Sequence, residues 1–342
     1  MINDNLAFHN IAELRAVDGL AGLRLQRVPE RVRVQLDPGT AGVMLSPADC
    51  EIRFRIAEGQ ESATIRLSSE SRTTVYVYHG PFQGRSFDLD TEPRDFTIKP
   101  HKRTVELTQI GCASAQYDPG LVRLCFGGPY PEPVQYHGHG AGILPPREQD
   151  VPGKTYLAYG TSITHGTDFA GAASSYPAHV AWKLGYQLRN FGASGCCRCE
   201  MAMADYLAEQ SCDLVTLELS VNMLGTFAAA EFRERAGYLV QRMADSDPAR
   251  PVVCITLLPH WRDISGFSIP PDSKSTAGEY RQVMRDIVKD LARPNLTLIE
   301  GSDLLPDIGG LTFDLLHPGA RGMIQIGEEL ARRLAAITIP QR

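Results

Sequence analysis

The sequence predicts an all-β sandwich followed by an α/β unit built on a mostly parallel sheet. Three observations carry this reading. Short runs rich in Val, Ile, Thr, Tyr and Phe, with Gly and Pro between them, fill the chain up to residue 144. The stretch Pro145-Pro146-Arg147-Glu148-Gln149-Asp150-Val151-Pro152-Gly153 is polar and proline-rich, as an interdomain linker is. From Lys154 onward, strand-like and helix-like segments alternate. A chain of 342 residues has room for both units.

In the first unit, residues 1–144, strands are expected at 51–56, 62–67, 73–78, 103–107 and 121–126. Several alternate apolar with polar residues, and no long amphipathic helix interrupts them. Strands at such short spacing read as a jelly-roll-like sandwich. Residues 145–153 connect it to the second unit, 154–342. There, strands are expected at 155–159, 187–191, 213–220, 251–258 and 296–300. Helices are expected at 175–184, 200–210, 228–244, 277–291 and 320–336. Alternation of this kind means a parallel sheet covered by helices on both faces.

Composition excludes several function classes. An apolar fraction of 43% and a charged fraction of 22% are those of an ordinary globular protein, not a fibrous or disordered one. The net charge is −6, and the densest basic stretch, Arg147 to Lys154, is broken by Glu148 and Asp150. A nucleic-acid partner would require a basic stripe, so none is expected. The apolar runs are strand-length, too short to cross a membrane. The start Met1-Ile2-Asn3-Asp4-Asn5 lacks the basic and apolar regions of a signal peptide, so a cytoplasmic location is expected. A homo-oligomer is compatible with the sequence. Eight cysteines do not make a dense disulfide framework in a chain of this length. The cluster Cys196-Cys197-Arg198-Cys199 lacks the second ligand pair of a zinc site, so free thiols and no metal are expected. His137-Gly138-His139 likewise lacks further ligands and reads as a loop.

In an open parallel sheet, ligands bind beyond the carboxyl ends of the strands. The polar residues there are Gly160-Thr161-Ser162, then Asn190-Phe191-Gly192-Ala193-Ser194-Gly195, then Ser220-Val221-Asn222, then Pro259-His260-Trp261-Arg262. Asp314-Leu315-Leu316-His317-Pro318 precedes the last helix. A hydroxyl, an imidazole, a carboxylate and several amide donors are the parts needed for acyl transfer through a covalent intermediate. Each has a plainer reading alone. Ser162 or Asn222 could cap a helix, Gly195 could be a turn glycine, and His317 could be a surface residue. His165 and His260, with Trp261, are candidates to line a substrate pocket, though capping or loop roles also fit them.

Four of these blocks, in order, resemble the SGNH (GDSL-type) hydrolase family. The matching segments are Gly160-Thr161-Ser162-Ile163-Thr164-His165-Gly166, Asn190-Phe191-Gly192-Ala193-Ser194-Gly195, Glu218-Leu219-Ser220-Val221-Asn222 and Asp314-Leu315-Leu316-His317. The resemblance implies a flavodoxin-like three-layer α/β/α domain. It implies Ser162 as nucleophile, His317 as base and Asp314 as its orienting carboxylate. It places the oxyanion hole at Ser162, Gly195 and Asn222, with no cofactor. Thr161 stands where the motif has Asp, Ser220 where it has Gly, and Met223 where it has Asp. The expected function is hydrolysis of a small-molecule or acylated-sugar ester through a Ser162 acyl-enzyme. An acyltransferase of natural-product biosynthesis uses the same chemistry. A non-catalytic carbohydrate-binding protein is the reading from another class. For it, Tyr76, Tyr78 and Phe82 of the sandwich could form a sugar platform, or could simply be core residues.

Overall fold

A computed structural model describes residues 1–111, 115–128, 131–166 and 174–338. The N-terminal part contains two antiparallel sheets. One runs in the order Ile2–Asn3, Leu6–His9, Glu51–Ile56, Leu121–Gly127, Thr73–His79, Phe82–Leu89, with Ile143–Leu144 added on Glu51–Ile56. The other runs Glu13–Ala16, Leu23–Gln26, Val134–His139, Ala63–Ser69, Arg94–Ile98. Thr73–His79 shows why these residues form a sandwich. Its alternate side chains Thr73, Val75, Val77 and His79 are buried, and those between are half-buried. The inner faces of the two sheets meet in one core that includes Phe8, Phe54, Leu67, Val75 and Phe126.

The strand expected at 103–107 is a helix, Lys102–Ile110. Its alternation of apolar and polar residues suits a strand, but the segment lies on the surface with none of its side chains buried, and it has no neighbouring strand among the described residues. Local caps then decide. The His101 ring accepts a hydrogen bond from the Arg103 N–H, and Gly111 closes the helix at φ +84°.

The C-terminal part is built on five parallel strands in the order Tyr186–Asn190, Lys154–Gly160, Leu214–Glu218, Val252–Ile255, Leu296–Ile299. In chain order this is 2-1-3-4-5, the flavodoxin-like arrangement. The expected helices are present as Tyr176–Leu184, Met201–Ala208, Ala229–Ser246, Ala277–Leu291 and Ala320–Thr338. The strand Lys154–Gly160 divides its side chains between two cores. Tyr156 and Ala158 pack with Val180, Met323 and Leu330 on one face. Leu157 and Tyr159 pack with Met203, Leu239 and Tyr280 on the other. Period-two side chains thus give the three-layer sandwich directly. No helix among the described residues is long and apolar enough to cross a membrane.

Along the chain we propose the division 1–144, 145–153 and 154–342, but one segment crosses it in space. Val28, Val32, Leu36, Ala41 and Met44 belong to the same core as Leu157 and Tyr159. The connector is also clamped. The buried Asp150 carboxylate accepts from Arg55 at 2.9 Å and from the Arg147 guanidinium at 2.9 and 3.0 Å.

Candidate active site

The first parallel strand ends at Gly160, and a single helical turn, Ser162–His165, follows it. Thr161, not Ser162, is the N-cap: its hydroxyl accepts from the Ile163 N–H at 3.3 Å. Ser162 is therefore released from the capping role and begins the turn. Its Oγ lies 2.7 Å from His317 Nε2. His317 Nδ1 lies 2.6 Å from Asp314 Oδ2. Asp314 Oδ1 accepts from the Thr312 hydroxyl at 2.7 Å and from the backbone N–H groups of Leu316 and His317 at 2.9 and 3.0 Å. Burial pushes the Asp314 pKa up, but these bonds outweigh it and hold the carboxyl well below the usual carboxylate range. A carboxylate facing Nδ1 keeps the ring proton there, so Nε2 is left to accept from the serine hydroxyl. The turn is tight enough to hold Leu315 at φ +55°.

Gly195 has φ +70°, in the left-handed region, and a Cβ there would meet nothing. Its requirement for glycine is conformational. Its N–H makes no hydrogen bond among the described residues. Asn222 turns its carbonyl Oδ1 to the Cys197 N–H at 3.1 Å, which leaves its NH2 group as the end available to a ligand. The loop from Asn190 to Cys197 is thereby tied to the third strand's exit.

His165 and His260, candidates to line a substrate pocket, are both buried and held by hydrogen bonds within the protein. His165 is 2% exposed. Its Nδ1 accepts from the Ser194 N–H at 3.4 Å, and its Nε2 lies 3.2 Å from Ser46 Oγ. Burial, aided by the charge of Arg27, drives its pKa well down, so the ring is neutral, as an accepting Nδ1 requires. His260 is also 2% exposed and bonds through Nδ1 to the Leu258 carbonyl at 3.2 Å. Trp261 differs. It is only half-buried, and its backbone N–H donates to the Leu315 carbonyl at 2.7 Å, within the turn from Asp314 to His317.

Several residues at the site were not assigned from sequence. Gly192 is packed so closely that a Cβ would collide with the His165 backbone. Arg27 is fully buried and donates to the carbonyls of Asn190 at 3.2 Å, Gly192 at 2.9 Å and Val43 at 2.7 Å. Burial lowers its pKa to about 10, which leaves it charged at neutral pH. Thr40 donates to the Cys196 carbonyl at 3.1 Å. The N-terminal part therefore fixes the glycine loop. No local motif marks these contacts, because Arg27 and Thr40 are separated from that loop by 156 to 165 residues. Glu218 is the third kind of omission. It is 2% exposed, and burial, opposed by hydrogen bonds from Thr161 and Thr164, pushes its pKa up to about 7. A strand ending in Glu beside a candidate nucleophile turn that lacks the motif aspartate was the available signal.

Ser220, where the motif has glycine, sits at φ +112° with its hydroxyl buried and without a hydrogen-bond partner among the described residues. Such a residue stores strain. Ser220→Gly is expected to stabilise the fold by about 1 kcal/mol after the entropic cost of glycine, read as a higher denaturant midpoint. A lower midpoint would show that the strain is not there.

Among the described residues no group of three or more His, Cys, Asp and Glu is arranged to hold a metal ion. The seven described cysteines are free, and Cys112 lies outside the described residues. A separate cavity of about 320 Å³ lies against helix Tyr176–Leu184, lined by Tyr78, Tyr117, Arg123, His179 and Trp182. None of the catalytic candidates borders it.

Residues 153–335, more than half of the chain, match the GDSL-like lipase/acylhydrolase family. The chain belongs to that family. This GDSL-like protein is accordingly an enzyme of the carboxylic ester hydrolase or acyltransferase type. No curated protein matches it. Among solved structures it is similar to a salicylyl-acyltransferase from a tetracycline biosynthetic pathway, at 16% identity and a TM-score of 0.76, covering 99% of this chain and 96% of that one. It is also similar to a GDSL-like lipase structure from Bacteroides ovatus, at 15% identity and a TM-score of 0.68, covering 97% and 96%. A family two carbohydrate esterase from Clostridium thermocellum, in complex with cellohexaose, aligns at 14% identity and a TM-score of 0.59, covering 84% and 91%. At these identities the likeness speaks for the GDSL-like fold and for the sandwich that precedes it.

Proposed function

We propose that this GDSL-like enzyme is a serine esterase that cleaves a carboxylic ester through an acyl-enzyme on Ser162. The 2.7 Å contact between Ser162 Oγ and His317 Nε2 carries the reading. The hydroxyl gives its proton to Nε2 as Oγ bonds to the ester carbonyl carbon. The imidazolium that forms is stabilised by Asp314, which stays ionised. The developing oxyanion is received by the backbone N–H groups of Ser162 and Gly195 and by the Asn222 NH2. His317 then protonates the leaving alkoxide, and the acyl group remains on Ser162. Water, deprotonated by His317, completes the cycle. Trp261 is the side chain proposed to line the acyl or alcohol subsite.

A fluorophosphonate probe tests this reading. It should label one site per chain, at Ser162. Labelling elsewhere, or none, would overturn it. Asn222→Ala should lower kcat for a short p-nitrophenyl ester by about 100- to 1000-fold, with KM little changed, because the lost donor acts on charge that develops only in the transition state.

A second reading, acyl transfer to an alcohol instead of water, is favoured by one observation. The similarity to the salicylyl-acyltransferase runs through the sandwich as well as the parallel-sheet domain. The similarity to a carbohydrate esterase favours an acylated sugar as substrate. Adding candidate alcohols during turnover and measuring new ester against free acid separates transfer from hydrolysis.

A further inference from the structure

The residue before the nucleophile is neutral, yet a carboxylate stands directly behind the nucleophile turn. It comes from the neighbouring strand. Glu218 Oε2 accepts from the Thr161 backbone N–H at 2.9 Å, the Thr161 hydroxyl at 2.7 Å and the Thr164 hydroxyl at 3.0 Å. Thr161 and Thr164 flank Ser162 and Ile163, so one oxygen ties down both ends of the turn that presents the nucleophile.

The polarity of these bonds is fixed by the donors available. Thr161 Oγ1 accepts from the Ile163 N–H, so its own proton goes to Glu218. Thr164 Oγ1 likewise spends its proton on Glu218 and accepts from the Tyr176 hydroxyl at 2.8 Å. Three donors therefore converge on Oε2. The other oxygen, Oε1, is buried with no partner among the described residues. An amide oxygen carries less charge than a carboxylate oxygen and holds three donors less well. The room for this arrangement comes from Gly160. A Cβ there would collide with Thr164 Oγ1 and lie 2.6 Å from the Glu218 carbonyl oxygen and 2.8 Å from Oε2.

We propose that Glu218 is a positioning residue for Ser162, supplying from the third strand the negative charge that the position before the nucleophile lacks. Thr161 and Glu218 then work as a pair: one site in the turn, one charge, placed across the sheet. This rests on Ser162 being the nucleophile. The side chain touches neither His317 nor the open face of the site in any hydrogen bond among the described residues, so it acts through the turn alone.

The pair can be tested by moving the charge. Glu218→Gln should lower kcat and the fluorophosphonate labelling rate by about 10- to 100-fold, as expected when a nucleophile is misplaced by a fraction of an ångström, and leave KM unchanged. Its thermal midpoint at pH 8 should stay close to wild type, because the wild-type folded state carries a buried, ionised carboxylate there and the amide does not. Thr161→Asp, which sets a second carboxylate against Glu218, should lower kcat as well. In the double variant Thr161→Asp/Glu218→Gln, the new amide on the strand can donate to the new carboxylate in the turn, and kcat should recover about tenfold over either single change. Should Glu218→Gln fail to fold, Thr164→Val keeps the shape, removes one donor and should also slow labelling. Wild-type labelling kinetics in Glu218→Gln, an additive double variant, or wild-type kinetics in Thr164→Val would each overturn the proposal. If the wild-type protein is not labelled at Ser162, the active-site reading itself falls and takes this one with it.

Discussion

Ser162→Ala is expected to reduce ester turnover by roughly ten-thousandfold or more, with KM little changed. The effect is this large because Ser162 Oγ is the hydroxyl held against His317 Nε2, at 2.7 Å. His317 Nε2 is already aligned on Ser162 Oγ, and the ring is held by Asp314, which is itself held by three donors. Removing Oγ leaves a base with no nucleophile to activate, and only binding and oxyanion donation remain. The expected loss corresponds to about 5.5 kcal/mol of transition-state stabilisation. Initial rates on a p-nitrophenyl ester, with circular dichroism to show an intact fold, measure it. Residual activity above a few per cent would mean that the acyl group is carried elsewhere.

Asp314→Asn should have the second largest effect, near ten-thousandfold on kcat. The structure gives a specific reason. Asp314 Oδ1 accepts from Thr312, Leu316 and His317, so the amide oxygen of Asn must occupy that position. The amide NH2 is then forced to face His317 Nδ1. Two donors cannot meet, so Nδ1 gives up its proton and becomes an acceptor. The ring proton moves to Nε2, where it blocks the transfer from Ser162. The side-chain volume hardly changes, so stability should change far less than kcat. An Asn variant with turnover close to wild type would mean that the Asp314 carboxylate does not set the tautomer.

Much of this chain was legible before its structure. The five parallel strands follow from β-branched runs with turn residues after them, and their carboxyl ends collect the polar residues. Ser162, Gly195 and Asn222 follow the ends of parallel strands and Asp314 and His317 precede the last helix, so the alternation of strand and helix, with the family resemblance, already marked them as candidates. The sandwich was less legible. Strands such as Leu6–His9 and Glu13–Ala16 have only four residues, and their partners are distant or short. The segment at 103–107 misled because alternation is a signal only when a neighbouring strand exists to use it. The burial of His165 and His260 was not legible, because it depends on what packs from elsewhere in the chain and local sequence does not carry it. The residues that hold the glycine loop were invisible for the same reason. Arg27 carries no local signal, and only the fold places it against Asn190 and Gly192.

That arginine changes what counts as the smallest working unit. Its guanidinium is taken fully out of water, at a cost that is offset only while three backbone carbonyls from two parts of the chain converge on it. Docking of the sandwich and the shape of the loop that carries Gly195 are therefore thermodynamically linked. A ligand that orders this loop also tightens the junction, and a change that loosens the junction weakens the ligand by the same free energy. Residues 154–342 hold every group proposed for the reaction, yet the loop that carries Gly195 is held in part by Arg27 and Thr40. The segment that carries Arg27 and Thr40 braces that loop through the carbonyls of Asn190, Gly192 and Cys196, so selection on catalysis would reach it through geometry alone.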